Sequence, residues 1–213
     1  TAGYQLPLFD HEAVSHKTKE APFWIHFGAG NIFRAFQANA VQKLLNDKIL
    51  DRGLVVAEGY DYEIIEKMYH PHDNYSILAT LKADGSIEKT VVGSIAESLT
   101  LDSHDTASYN RLKKFSEMNP CSLLLLPLPK MDNYSQNGDK LKTAITAFAE
   151  KWVENNLVEP EFLTYVTSNK VSFPWTMIDK ITPRPNTSVE ELLKKDGVQD
   201  LDPVSYTHLR AHE

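Results

Sequence analysis

The chain has 213 residues, of which 42% are hydrophobic and 24% are charged, a composition typical of a folded protein and sufficient for one ample domain. Its formal net charge of −7 argues against a nucleic-acid surface, which requires clustered Lys and Arg. A single cysteine, Cys121, and the lack of a signal-peptide or membrane-spanning pattern predict a cytoplasmic protein with no disulfide framework and no membrane partner.

The first part of the chain alternates strand and helix patterns. Residues 23–27 form an aromatic and β-branched run that predicts a buried strand, and residues 32–45 carry apolar side chains at helical spacing. Residues 54–57 predict a second strand, and residues 61–69 predict a short helix that Pro71 stops. Because strands and helices alternate, we expect the strands to be parallel.

A hairpin pattern interrupts this alternation. Residues 75–81 and 87–95 are both strand-like, and they flank Asp84 and Gly85. An Asp-Gly pair adopts the positive φ angles of a tight turn. The sequence therefore predicts an antiparallel ribbon inserted into the α/β pattern.

Three more elements follow the ribbon. Residues 105–118 predict a helix with Ser103 or Asp105 as its cap, residues 122–126 predict a strand, and residues 139–155 predict a strongly amphipathic helix. A second α/β half is expected to begin here.

A glycine motif lies between the first strand and the first helix of this pattern. It reads Gly28-Ala29-Gly30-Asn31-Ile32-Phe33-Arg34. In this context Gly28 suits a tight turn, Gly30 lets a pyrophosphate approach the backbone, and the N–H groups of the helix start favour an anion. Arg34 could add a charge-assisted contact. Phe33 replaces the third glycine of the usual dinucleotide fingerprint, so a plain strand-to-helix turn is the alternative.

Two acids follow the second strand. Dinucleotide-binding folds place an acid there to accept the ribose hydroxyls, and Glu58 and Asp61 both lie just past Val56. An acid at this point favours NAD over NADP. The choice between Glu58 and Asp61 stays open, and so does a role as plain surface charge.

The eight histidines do not form a metal-binding pattern. His70 and His72 flank Pro71 without a third ligand nearby in sequence, so no metal is expected. His26 lies on the first strand beside aromatic residues, which favours a core residue with satisfied hydrogen bonds over a catalytic base.

Three blocks of the sequence resemble the mannitol dehydrogenase family of polyol-specific long-chain dehydrogenases, most closely its fructuronate reductase branch. The blocks cover residues 24–34, residues 131–138 and residues 172–183, in the order that the family has. The resemblance implies a doubly wound Rossmann-type domain that binds NAD, followed by a helical substrate domain. It also implies that the amide of Asn133 helps to polarise the substrate oxygen and that Asp179 lies in a block closing over the site.

The chain departs from the family pattern at three places. The resemblance implies a general-base lysine set in a Lys to Leu-Asn-x-x-His block, and no such block occurs in the 213 residues. Residues 119–130 join two family segments directly, which predicts an internal deletion. Residues 204–213 resemble the translation of a sequencing-library adaptor.

These observations predict an α/β chain with an N-terminal arm (1–22), a Rossmann-type dinucleotide-binding domain (23–185), the start of a linker to a missing helical domain (186–203) and an adaptor-derived end (204–213). The resemblance implies hydride transfer between NAD(H) and a small-molecule keto sugar acid, with fructuronate to mannonate favoured, in an intact protein. This chain would be a fragment of that protein with little or no activity, which binds cofactor better than it turns over substrate. Mannitol 2-dehydrogenase and tagaturonate reductase activities are the alternatives, and a non-catalytic nucleotide-binding remnant is the rival of another class.

Overall fold

The computed structural model describes residues 3–102, 104–117, 123–125, 136–156, 158–175 and 187–198. The chain forms two compact units. One comprises Thr1–Leu126 with Lys180–Glu213, and the other is Pro127–Asp179. The domain boundary predicted at residue 185 stays a prediction.

A four-stranded parallel sheet forms the centre of the first unit. Its strands are β2 (Trp24–Phe27), β3 (Leu54–Glu58), β6 (Ile95–Thr100) and β7 (Leu123–Leu125). They lie in the order β6-β3-β2-β7, and every pairing is parallel. Residues 54–57 are fully buried, as expected of a central strand covered on both faces. The predicted parallel α/β arrangement is confirmed.

Helical segments precede and connect these strands. They are α1 (His11–Glu20), a π-helical segment (Phe33–Ala38) continuing into α2 (Asn39–Asn46), α3 (Tyr62–Ile64) continuing into a π-helical segment (Ile65–Tyr69) and a 3₁₀ turn (His70–His72), and α4 (Thr106–Glu117). Asp105 caps α4, because its Oδ1 accepts from the backbone N–H groups of Ala107 and Ser108 at 3.1 Å each. Ser103, the other predicted cap, lies outside the described residues.

The main core of the first unit packs helices against this sheet. One buried cluster joins helices to Val56 of β3. It contains Val14 of α1, Phe33 and Val41 of the helical connection between β2 and β3 (the first crossover), and Ile65 of the helical connection that follows β3 (the second crossover). Each element thus contributes an apolar face to the same core, which is what holds the carboxyl ends of the strands in place.

A second, three-stranded sheet carries the predicted ribbon. It comprises β1 (Tyr4–Gln5), β4 (Ser76–Leu81) and β5 (Ile87–Val92) in the order β1-β5-β4, with β4 and β5 antiparallel. Gly85 has φ +83° at the turn, so the predicted hairpin is confirmed. Helix α7 (Thr187–Lys195) packs on this sheet through Val189 and Leu193.

The second unit contains α5 (Asn137–Glu154) and α6 (Pro160–Thr167), which contact each other. The predicted amphipathic helix is confirmed in α5. Near its start the backbone of Phe173 approaches so closely that a Cβ on Gly138 would lie 2.2 Å from the Phe173 carbonyl oxygen. Only glycine fits there. In the described part of the chain, no helix is long and apolar enough to cross a lipid bilayer.

The structure differs from the sequence prediction at one strand and in the N-terminal arm. The strand predicted over residues 87–95 is two strands, because the chain breaks at Gly93 and Ser94 and β6 then enters the parallel sheet. The helix predicted over residues 61–69 is confirmed in α3 and the π-helical segment that ends at Tyr69, and Pro71 lies in the first turn of the 3₁₀ segment that follows. The N-terminal arm contains β1 and α1. The sequence pattern does not indicate α1, because this helix buries only Val14 and Thr18 and so has no clear apolar face.

Candidate functional site

The glycine motif lies at the switch point of the parallel sheet. Strand β2 has β3 on one side and β7 on the other, although β7 is the last of the four strands in sequence. Ligands of open α/β sheets bind beside the carboxyl ends of the strands at such a point. Gly28 makes the turn out of β2 with φ +105°, and its N–H donates to the Ala57 carbonyl oxygen at 2.7 Å.

Both backbone polar groups of Ala29 are bonded to side chains from distant parts of the sequence. The Ala29 N–H donates to Glu58 Oε2 at 2.6 Å, and the Tyr69 hydroxyl donates to the Ala29 carbonyl oxygen at 2.8 Å. Ala29 itself is fully buried. The first half of the glycine motif is therefore fixed by contacts with β3 and with the second crossover.

Gly30 faces open space. A Cβ built on this residue would have no heavy atom within 4 Å. The helical segment begins one residue later, and the first N–H groups of a helix have no acceptor within the helix. The arrangement leaves backbone donors of Asn31 and Ile32 beside an unobstructed surface, which suits an anion.

Arg34 lies one turn into this helical segment and is only 8% exposed. Its Nη2 donates to Asn31 Oδ1, and its guanidinium lies 5.7 Å from the centre of the Tyr69 ring. The Nε atom is buried and has no hydrogen-bond partner among the described residues. Burial lowers the pKa of Arg34, although a guanidinium stays charged in proteins.

Phe33 explains how the helix forms without the third fingerprint glycine. The ring is buried and stacks on His26 of β2, with ring centroids 4.1 Å apart. The helix is π-helical here, a widening that is frequent at functional sites. His26 is a core residue, as predicted, but its Nδ1 has no partner among the described residues, so the expectation of satisfied hydrogen bonds was wrong. Burial lowers the pKa of His26 to about 4.

The two candidate ribose acids differ in their surroundings. Glu58 is half-buried, and its Oε1 accepts from the N–H groups of Tyr60 at 2.9 Å and Asp61 at 3.4 Å. Asp61 is exposed, and its side chain does not cap α3. The structure thus brings Glu58, but not the Asp61 carboxylate, into contact with the glycine turn.

Asn133 and Asp179 fall outside the described residues, and their roles stay predictions. Sequence reasoning missed Tyr69, because its contact with Ala29 spans 40 positions and no local pattern signals it. Among the described residues, no group of three or more His, Cys, Asp or Glu side chains could hold a metal ion.

No protein-family model matches the chain. A D-mannonate oxidoreductase of Thermotoga maritima is 34% identical over 264 residues, covering 99% of this chain and 48% of the relative. The chain thus spans about half the length of this curated relative. The alignment is longer than the chain, so the relative carries residues that have no counterpart here.

Solved structures give the same fold. Mannitol 2-dehydrogenase of Pseudomonas fluorescens, in a ternary complex with NAD and D-mannitol, matches with a TM-score of 0.69 and 20% identity over 98% of this chain and 50% of that one. D-Sorbitol dehydrogenase in substrate-free form matches with a TM-score of 0.65 and 19% identity over 98% and 51%. The predicted Rossmann-type fold is confirmed by these likenesses, and the similarity to the D-mannonate oxidoreductase supports the predicted resemblance to the mannitol dehydrogenase family.

Proposed function

We propose that the chain is the NAD-binding part of an oxidoreductase that transfers a hydride between NAD(H) and a sugar-derived alcohol or ketone, with fructuronate and mannonate as the favoured pair. The observation that carries the proposal is the glycine turn at the switch point of the parallel sheet, open above Gly30. The similarity to a D-mannonate oxidoreductase supports the choice of substrate pair.

The residues at the turn fit a dinucleotide pyrophosphate. The missing side chain of Gly30 leaves room for the phosphates, and the N–H groups of Asn31 and Ile32 would donate to them. The positive charge of Arg34 lies one turn into the helix, with Nε unpaired among the described residues. A side chain at position 30 would occupy the same space as the anion.

The adenosine ribose would lie beside the carboxyl end of β3, where Glu58 and Asp61 supply carboxylates. A carboxylate accepts hydrogen bonds from two free ribose hydroxyls and repels a 2′-phosphate, which is the reason for preferring NAD to NADP.

The bound nicotinamide would supply or accept the hydride at the substrate carbon. We propose that the amide of Asn133 donates to the substrate oxygen, where negative charge develops, and that the segment around Asp179 covers the site. A proton must also move to or from that oxygen, and general acid–base groups contribute roughly 10² to 10⁴ in rate. Since the 213 residues hold no Lys to Leu-Asn-x-x-His block, we expect this chain to bind cofactor and to turn over slowly.

Cofactor titration and a turnover assay test the proposal. NADH fluorescence should show saturable binding to the chain, and slow NADH oxidation should be fastest with fructuronate among fructuronate, tagaturonate and fructose. A folded chain that binds no NADH in the millimolar range would contradict the whole proposal. Faster oxidation with tagaturonate or fructose would contradict the branch alone, and saturable binding with no oxidation of any of the three would favour the remnant.

A further inference from the structure

We propose, on the basis of the function above, that Glu58 and Tyr69 are positioning residues that clamp the backbone of Ala29 on both sides and hold the glycine turn in its binding conformation before cofactor arrives. Glu58 then acts through the turn and not on the ribose, and Asp61 is the acid that faces the ribose.

The clamp consists of two hydrogen bonds on opposite ends of one residue. The Glu58 carboxylate accepts from the Ala29 N–H at 2.6 Å, and the Tyr69 hydroxyl donates to the Ala29 carbonyl oxygen at 2.8 Å. Ala29 is fully buried and Tyr69 is 1% exposed, so neither bond has water as a ready substitute. Buried polar groups that lose their partners are destabilising, and the two bonds therefore select one conformation of the turn.

The carboxylate of Glu58 joins two loops. Oε2 bonds to the loop after β2, while Oε1 bonds to the N–H groups of Tyr60 and Asp61 in the loop after β3. A carboxylate has about four acceptor positions, and three backbone donors already converge on this half-buried group. Asp61 by contrast is exposed, and we find no hydrogen bond or ion pair of its carboxylate with the described residues.

The clamp gives the N–H groups of the turn two different roles: some hold the turn, and others remain for the ligand. The Gly28 N–H is bonded to Ala57 and the Ala29 N–H to Glu58, so both hold the turn. The pyrophosphate is left with the donors of the helix start, next to the open space above Gly30. A turn that is already ordered loses less conformational entropy on binding, which raises affinity without adding a contact to the ligand.

Two variants of the 213-residue chain test the clamp. Glu58→Gln cannot accept on both sides, because one side of the amide carries only donors, and Tyr69→Phe removes the donor to Ala29. The matched controls are Glu63→Gln and Tyr60→Phe, both on exposed side chains nearby. The measurements are amide hydrogen exchange of residues 28–34 without cofactor, and the Kd values for NADH and NADPH.

The clamp predicts faster exchange at residues 28–34 in both clamp variants and no change in the controls. It also predicts that Glu58→Gln raises the Kd values for NADH and NADPH by the same factor, roughly tenfold for a lost hydrogen bond to a charged group. Asp61→Asn should instead shift the ratio of the two Kd values toward NADPH.

Unchanged exchange together with a tenfold shift of that ratio in Glu58→Gln would overturn the proposal and make Glu58 the ribose ligand. A wild-type chain that binds neither cofactor would contradict the proposed function, whereas the exchange comparison would still decide whether the clamp exists.

Discussion

A side chain at Gly30 should affect cofactor binding without affecting the stability of the free chain. Nothing lies within 4 Å of a Cβ at this position, and Gly30 is not among the residues with positive φ. We expect Gly30→Ala to leave the melting temperature unchanged or slightly higher, since alanine restricts the unfolded chain. The same change should weaken NADH binding about tenfold, because the methyl group occupies the path of the pyrophosphate.

Calorimetric melting and NADH titration of the same variant distinguish these effects. Equal NADH affinity of Gly30→Ala and the wild type would place the cofactor elsewhere.

His26 predicts a pH dependence of stability. Its pKa is lowered from 6.5 to about 4 by burial, so as the pH falls the unfolded chain takes up this proton first. The free energy of unfolding should therefore decrease between pH 6.5 and about 4, by roughly 3 kcal/mol from this group when each pKa unit contributes about 1.4 kcal/mol. His26→Phe keeps a ring against Phe33 and should flatten this part of the curve.

Urea unfolding at several pH values measures the effect. His16→Gln is the control, because His16 is exposed on α1 and its loss should leave the slope intact. A slope that survives in His26→Phe would assign the pH dependence to other groups.

At the level of elements, the packing of α7 depends on a charged contact as well as on its apolar face. Lys89 of β5 pairs with Asp196 at 2.6 Å, both side chains are largely buried, and Tyr4 of β1 donates to the same carboxylate at 3.1 Å. Removing one partner of such a pair leaves a charge without compensation in a poorly hydrated place. We expect Lys89→Met to loosen α7 from the three-stranded sheet.

Amide exchange over residues 187–195 measures this loosening. Lys82→Met is a matched control, because Lys82 pairs with Glu88 on a more exposed part of the same hairpin. Equal protection of α7 in Lys89→Met and the control would show that the apolar contacts of Val189 and Leu193 suffice.

At the level of the whole molecule, the second unit exposes aromatic side chains. Phe148 is 62% exposed and Trp152 42% exposed, and their ring centroids are 6.3 Å apart. Grouped apolar exposure promotes association in water, whereas a lone exposed residue such as Tyr60 does not. We expect the double variant Phe148→Ser, Trp152→Gln to aggregate less than the wild type in concentration-dependent light scattering, and Tyr60→Ser to behave like the wild type.

The local patterns of the sequence were sufficient for most of the α/β order. Buried runs at residues 54–57, helical spacing after Ile32 and the Asp84-Gly85 turn each depend on short-range physics, namely burial, periodicity and backbone conformation, and all three appear in the fold. The break at Gly93 could not be predicted in this way, because it is the pairing of β6 with β3 that takes the chain into another sheet.

The candidate site likewise has features that the local sequence predicts and features that depend on tertiary contacts. By itself, the sequence determined that a glycine turn follows a buried strand, that a helix follows the turn, and that acids lie beyond the second strand, because each of these depends on neighbours in the chain. Only the tertiary structure decided that Glu58 and Tyr69 meet at Ala29 and that Phe33 stacks on His26, since hydrogen bonds and ring contacts across tens of residues are set by how strands and helices pack together.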